Sequence, residues 1–285
     1  MDTICKDKML LNDWFVVGEH KLINNGTELQ TFLLGEKILI IKDKIGNVSV
    51  LCKNKVMPMT LRYGFIWTSL GKPKDPIINI PEACEDNRHI ITGGAIQVNT
   101  SGLRVVENFL DQSHLAFVHP GYLGEEPHTE IKNYNVALVN DEIMVTDVNL
   151  YQPSASPAAN TGAMVAYEWR VYKPYIVALY KANPVYPDKR DYIVLFIQPI
   201  NEENCIVHSY LCFIKDGLTK EEVRWFMQVI FHQDKPILEN QIPKRLPLNP
   251  RSETPIKADE VSIVYRRWLN KKSISYGAII NSESS

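Results

Sequence analysis

The chain has 285 residues, 45% of them apolar and 22% charged, and 31 basic side chains against 33 acidic ones leave a formal net charge of −2. That composition excludes a disordered chain, and the lack of a basic excess argues against a dedicated nucleic-acid binder. No apolar run approaches the roughly 18 residues a membrane helix needs, and the opening MDTICKDKMLLND has no basic-then-apolar signal layout. A cytoplasmic protein without membrane association is therefore expected.

In chain order, LNDWFVVG, LQTFLLG, EKILIIKD and NVSVLC are short apolar runs separated by turn formers, the pattern of a small antiparallel β unit, with Asp43 to Asn47 as a hairpin turn and Tyr63 to Gly71 as one more strand. Residues 72–90 carry Pro73, Pro76 and Pro81 and read as an irregular connector. In GLRVVENFLDQSHLAFVHPG, Leu103, Val106, Leu110, Ser113 and Phe117 recur three or four apart, which predicts a helix stopped by Pro120-Gly121. From about 129 to 215, six strand-like runs in series predict one antiparallel sheet, with residues 201–204 as a hairpin loop. Thr219 and Glu222 form a capping box before a long helical pattern, which Pro236 should kink or restart, and residues 258–269 form a last amphipathic helix. The layout is α+β, with helices packed on a curved antiparallel sheet.

Five cysteines, Cys5, Cys52, Cys84, Cys205 and Cys212, are odd in number and form no C-x-x-C, so neither a disulfide framework nor a zinc ribbon is expected. Two of the seven histidines, His114 and His119, stand five apart, with Asp111 three before the first. In a regular helix five residues turn about 500°, so the two rings would point about 140° apart. They could share one metal only if the helix bent or unwound near Val118. Two imidazoles and a carboxylate form the facial triad of non-heme Fe(II) oxygenases, with positions left open for O2 and substrate. From the spacing alone, two hydrogen-bonded helix-end histidines are the favoured reading. The best third ligand is Asp234, which follows the apolar run Trp225 to Phe231, since a buried carboxylate needs a partner. An exposed helix-end Asp beside Lys235 is the alternative. His20, His89 and His128 stand in loop-like contexts and read as solvated, and His232 as a surface residue.

ENFLDQSHLAFVHPG (107–121) resembles the iron-binding segment of the Rieske-type non-heme iron oxygenases, N-x2–3-D-x-x-H-x4-H. QDKPILENQ (233–241) resembles that family's second iron segment, and ADEVSIVYRRWL its closing helix in the demethylase-like branch. DWFVVG, LLGEKILIIKDKIG and YGFIWTSLGKP resemble the flanks of its Rieske domain. The resemblance spans nearly the whole chain. It implies a helix-grip-like antiparallel sheet with C-terminal helices as the catalytic domain (76–285), preceded by a truncated Rieske-like small β domain (1–75). It also implies that His114, His119 and Asp234 bind mononuclear Fe(II), that Asn108 sits near the metal, and that Asp111 hydrogen-bonds His114 and bridges electrons arriving from a Rieske cluster across a subunit boundary.

The departure from the family is equally specific. A Rieske cluster needs C-x-H followed by C-x-x-H, and between NVSVLC and YGFIW this chain has only KNKVMPMTLR. The sole C-x-x-H, Cys205 to His208, sits on a predicted sheet strand without a C-x-H partner and reads as coincidence. No 2Fe–2S cluster is expected in this chain. Electrons for O2 chemistry should then come from a separate reductase or Rieske/ferredoxin-type protein. The resemblance implies a homotrimer or a mixed oligomer with related oxygenase subunits. The likeness is strongest to the methylxanthine N-demethylase branch, which implies oxidative N-demethylation of a small heterocycle by an O2-dependent monooxygenase. Met227, Gln228 and Phe231, within about two turns of Asp234, could line its slot; helix core is the competing reading, favoured for Met227. Other readings remain open: a non-catalytic, cluster-less partner subunit, a binding module using the same cavity without redox chemistry, and an O-demethylase or hydroxylase of another small aromatic.

Overall fold

The computed structural model describes residues 3–154, 162–183, 185–186 and 188–280. A short helix α1 (Lys8–Leu11) leads into β1 (Phe15–Glu19). Next, β2 (Thr27–Leu33), β3 (Glu36–Lys42), β4 (Val48–Cys52) and β5 (Lys55–Val56) form a four-stranded antiparallel sheet in that order. The β3–β4 turn lies where DKIGN predicts it: Asp43 Oδ1 accepts the N–H groups of Ile45 and Asn47, and Gly46 takes φ +95°. β4 passes to β5 through Lys53-Asn54, both left-handed (φ +49° and +60°), a turn that fits the twist of the paired strands. β6 (Met59–Arg62) and β7 (Phe65–Thr68) join β1 in a three-stranded sheet with β7 in the centre.

The large sheet has seven strands: β8 (Arg88–Val98), β9 (Asn135–Val139), β10 (Glu142–Gln152), β11 (Ala163–Lys173), β12 (Ile176–Ala182), β13 (Arg190–Asn201) and β14 (Asn204–Ile214). Its order is β8-β14-β13-β12-β11-β10-β9, antiparallel at every pairing. The six runs in series are present, and residues 201–204 do make a hairpin. The seventh strand, β8, lies where a connector ending near residue 90 was expected to lead straight to a helix. Gly93-Gly94 hides it from a pattern search. Gly94 has φ +94°, and the β8–β14 register shifts there, so the strand is bulged and its alternation broken.

β13 is buried almost continuously because both faces of the sheet are covered. Ile193, Leu195 and Ile197 belong to the core shared with the helices, whereas Tyr192, Val194 and Phe196 pack with Val16, Phe65 and Trp67 of β1 and β7. That explains why its sequence is an unbroken apolar run rather than an alternating one.

Helices cover the first of these faces: α2 (Gly102–Leu110), α3 (Leu115–Val118), α4 (Lys220–Glu239) and α5 (Glu260–Lys271). β15 (Leu246–Pro247) and β16 (Ala278–Ile279) make a small parallel pair. The capping box opens α4: Thr219 Oγ1 accepts the Glu222 N–H, and Glu222 Oε2 accepts the Thr219 N–H. Pro236 does not restart the helix, which runs on to Glu239. The proline removes the N–H that would bond His232 O, but only three residues of helix follow it, so little of the ladder is lost. Among the described residues no helix is long and apolar enough to cross a membrane.

Candidate metal centre

α2 is capped by Ser101, whose Oγ accepts the Leu103 N–H and donates to Gly277 O. It was expected to continue to Pro120. Instead it stops at Leu110, and Asp111 is extended (φ −71°, ψ 131°). The Asp111 side chain causes the break: Oδ1 accepts the Ser113 N–H at 2.8 Å, a local turn that competes with the helical ladder. After the break the chain makes the single turn α3, with His114 at its start and His119 at its end. The unwinding thus comes before His114 rather than near Val118. It brings the two imidazoles, 140° apart on an unbroken helix, to a centroid distance of 5.2 Å.

Asp234, buried on α4, closes the group. One ligand atom from each of His114, His119 and Asp234 lies within 4.8 Å of the other two. Asp234 Oδ1 is 3.3 Å from His114 Nε2 and 3.1 Å from His119 Nε2. Close as they are, these approaches are not aligned as hydrogen bonds to His119, and both His119 Nε2 and Asp234 Oδ1 are buried without a hydrogen-bond partner. The other ring nitrogens are engaged. His114 Nδ1 donates to Asp111 Oδ2 at 3.0 Å, and His119 Nδ1 to Gln233 Oε1 at 2.9 Å. A carboxylate can only accept, so His114 carries a hydrogen on Nδ1, and loss of any proton on Nε2 would leave that lone pair to a metal. Two imidazole nitrogens and a carboxylate oxygen, each set by an outer partner, fit a divalent transition metal with open coordination positions. The buried, unpartnered pair is what such an ion would satisfy.

The electrostatics agree. Burial pushes the His114 imidazole towards the neutral form, but Asp111 and Asp234 outweigh it and raise it to about 9. Burial also opposes ionisation of Asp111 and Asp234, yet the hydrogen bond from His114 to Asp111 and the charge of the neighbouring histidines hold both carboxyls below their usual range. The site has a surplus of negative charge and binds a proton when no cation is there. A cation would displace that proton.

A cavity runs from the triad between α4 and the large sheet. Met227, Gln228 and Phe231 all line it, and so do Asn108 and Asp111. Gln228 is partly engaged, with Nε2 donating to Gly93 O at 3.2 Å. Asn108, Asp111 and His114 also border a second, polar hollow beside α2 and α5, flanked by Arg104, Glu253 and Arg266.

Sequence reasoning missed Gln233, whose only signal is its place directly before Asp234. It missed the sheet residues of the cavity as well, among them Tyr167, Trp169, Lys181 and Asp191. Charged residues at inward strand positions were the available clue. His208 of the lone C-x-x-H is in the core, its Nε2 on Gln198 Oε1 at 3.0 Å, and Cys205 is buried beside it on β14. His89, expected to be solvated, lies on β8 with Nε2 2.8 Å from Leu218 O, while His232 is exposed.

A family model for the vanillate O-demethylase oxygenase C-terminal domain matches residues 98–273. A protein of Pseudomonas sp. (strain TJI-51) described as a probable methylxanthine N7-demethylase, NdmC, is 39% identical over 277 residues, 95% of this chain and 98% of that protein. The methylxanthine N1-demethylase NdmA of Pseudomonas putida is 27% identical over 220 residues, 74% of this chain and 58% of that protein. Among solved structures, NdmA of Pseudomonas putida CBB5 with caffeine superposes with a TM-score of 0.76 at 19% identity, covering 97% of this chain and 98% of the other. Dicamba monooxygenase bound to dicamba gives 0.71 at 14% identity, covering 92% and 97%.

Proposed function

This chain belongs to the methylxanthine-demethylase branch of the Rieske-type non-heme iron oxygenases, and on that premise we propose that it oxidatively N-demethylates a small methylxanthine-like heterocycle. His114, His119 and Asp234 would hold a ferrous ion. Bound there, the iron supplies the O2 activation and one-electron chemistry that no protein side chain provides. The observation that carries the reading is the buried, unpartnered pair His119 Nε2 and Asp234 Oδ1 at the centre of the three converging ligand atoms.

The chain's own residues hold and orient. Asp111 fixes the His114 ring through Nδ1, and Gln233 fixes His119. Phe231 and Met227 line an apolar slot that excludes water from the reacting carbon, and Gln228 and Asn108 place amides along it. Overall, N–CH3, O2, two electrons and two protons give N–CH2OH and water, and the hemiaminal then releases formaldehyde and leaves N–H.

The two electrons need an external source. The sequence has no C-x-H paired with a later C-x-x-H, and Lys53-Asn54 makes a two-residue turn where a cluster-bearing hairpin would have to project. We take residues 1–75 as the cluster-less remnant of a Rieske domain and 76–285 as the iron-bearing domain. A reductase or Rieske/ferredoxin-type partner would feed the site, in a homotrimer or in a mixed oligomer with related subunits. Asp111 is the entry point, because it touches His114 and also borders the polar hollow beside α2 and α5.

Anaerobic loading with Fe(II), metal analysis and assay of formaldehyde from N-methyl xanthines, with and without a co-expressed electron donor, test this reading. About one iron per chain, no iron–sulfur absorption and donor-dependent formaldehyde are expected. A chain that takes up no metal after loading would instead be a non-catalytic partner subunit. Sustained turnover with a simple chemical reductant, equal to that with any reductase, would remove the protein donor.

A further inference from the structure

The large sheet carries charged residues into the cavity at a distance in sequence from the triad on α3 and α4. Tyr167 on β11 stands opposite Lys181 on β12, and Lys181 stands opposite Asp191 on β13. These residues form one cross-strand row, and all of them line the cavity that the triad closes at its other end. Lys181 is 7% exposed and Asp191 4%. Two residues further along β11, in the neighbouring row opposite Leu179, Trp169 stacks on Tyr167 with ring centroids 5.3 Å apart at 17°. Its indole Nε1–H is buried without a partner.

A purely structural lysine is usually placed at a sheet edge, where its ammonium reaches water. Lys181 is instead in an inner strand, and burial pulls its ammonium down to about 8 against the opposing charges of Asp191 and Asp216. Asp191 is held firmly: Oδ1 accepts the Ile214 N–H at 2.8 Å, and Oδ2 accepts Asn183 Nδ2 at 3.2 Å. Two carboxylate oxygens offer about four acceptor positions, so Asp191 keeps capacity for another donor. The sheet therefore lines the cavity with donors, the three N–H groups of the Lys181 ammonium and the Trp169 indole N–H, and with the acceptor Asp191.

We propose that Lys181, Asp191 and Trp169 are the specificity-determining residues of the cavity, reading a ring carbonyl and an adjacent ring N–H of a planar heterocycle. The donors take the carbonyl oxygen and Asp191 takes the N–H. A heterocycle alkylated at that nitrogen puts a methyl group against a buried carboxylate and leaves it unsatisfied, the arrangement from which large discrimination arises. The inference rests on the N-demethylase reading for its substrate class, but it concerns binding and not the oxidation.

Equilibrium binding to the full-length chain tests it, with 7-methylxanthine and its 1,3,7-trimethyl counterpart as probes, alongside the formaldehyde assay. The unmodified chain should prefer the N–H compound at least tenfold. Asp191→Asn should narrow that preference, and Lys181→Met should weaken both compounds, raising KM more than it lowers kcat. Lys181→Arg should recover part of the loss. Trp169→Phe keeps shape and stacking, so it should weaken binding at an unchanged melting temperature. The proposal falls if the chain binds neither compound, if it shows no preference, or if Lys181→Met and Trp169→Phe bind both as the unmodified chain does. It also falls if the losses merely follow lowered melting temperatures. Binding that changes as described with no formaldehyde under any donor would overturn the N-demethylase reading and leave this one standing; formaldehyde release indifferent to all the variants would do the reverse.

Discussion

Gln233 decides which face His119 offers. Its Oε1 lies 2.9 Å from His119 Nδ1, so the ring donates outward and keeps its Nε2 lone pair directed at Asp234. Outer partners of this kind are worth about 10–100-fold in metal affinity, and Gln233→Leu should weaken Fe(II) binding by that factor in an anaerobic titration, with the circular-dichroism spectrum unchanged. Gln233→Glu, which keeps an acceptor, should lose less. The triad itself makes a simpler prediction. A ligand that binds only the folded state at 100 times its Kd adds about 2.7 kcal/mol. Anaerobic Fe(II) should therefore raise the melting temperature of the unmodified chain, and His114→Ala should abolish the rise.

At the scale of elements, the cavity depends on where α2 ends and on how β13 and β14 are tied. His208 Nε2 meets Gln198 Oε1, while Gln198 Nε2 donates to Thr31 Oγ1 and Phe32 O of β2. The glutamine orientation is thereby set, His208 must donate through Nε2, and its Nδ1 is buried without a partner. Burial pushes this imidazole from 6.5 down to about 3. Below pH 6.5 the unfolded chain takes up a proton that the folded chain refuses. Stability is then lost as the pH falls from about 6.5 towards 3, by about 1.4 kcal/mol per pH unit from this group, and is unaffected by it above. Denaturant midpoints between pH 7 and 5 should fall less steeply in His208→Gln, which still reaches Gln198; an identical slope would contradict the account. At the head of α4, loss of the capping box in Thr219→Ala should cost about 1 kcal/mol by the same measurement.

Across the whole molecule, the helices are locked by charges rather than by packing alone. Arg266 of α5 holds both oxygens of Glu107 on α2, at 2.6 and 2.9 Å, and Arg104 joins Glu107 to Glu253. Arg104 and Arg266 are 3% and 6% exposed. Removing one member of a buried pair leaves the other uncompensated, a loss of about 3–5 kcal/mol. Because Arg104 still neighbours Glu107, Arg266→Met should fall near the lower end in a denaturant titration. The same network walls the polar hollow beside Asp111, so this variant should also impair donor-dependent turnover more than metal content. The two ends of the described chain are joined as well: Asp7 accepts the N–H groups of Ser275 and Tyr276.

The α+β class, the serial strands of the large sheet, the capping box at Thr219 and the segments bearing His114, His119 and Asp234 were legible in the sequence, because each is written in local periodicity, local hydrogen bonding or contiguous motif. β8 was not, since a glycine bulge erases alternation and only pairing with β14 makes Arg88–Val98 a strand. Nor was the early end of α2, where one Asp111 hydrogen bond overrides a good helical stripe. Only the tertiary structure could decide that two imidazoles and a carboxylate 115 residues after the second of them share a space of 4.8 Å, that Gln233 stands behind one of them, and that Lys181 and Asp191 face the same cavity from neighbouring strands. Contacts of that kind depend on strand register and on helix placement over the sheet, quantities set by packing between distant segments and carried by no short stretch of chain.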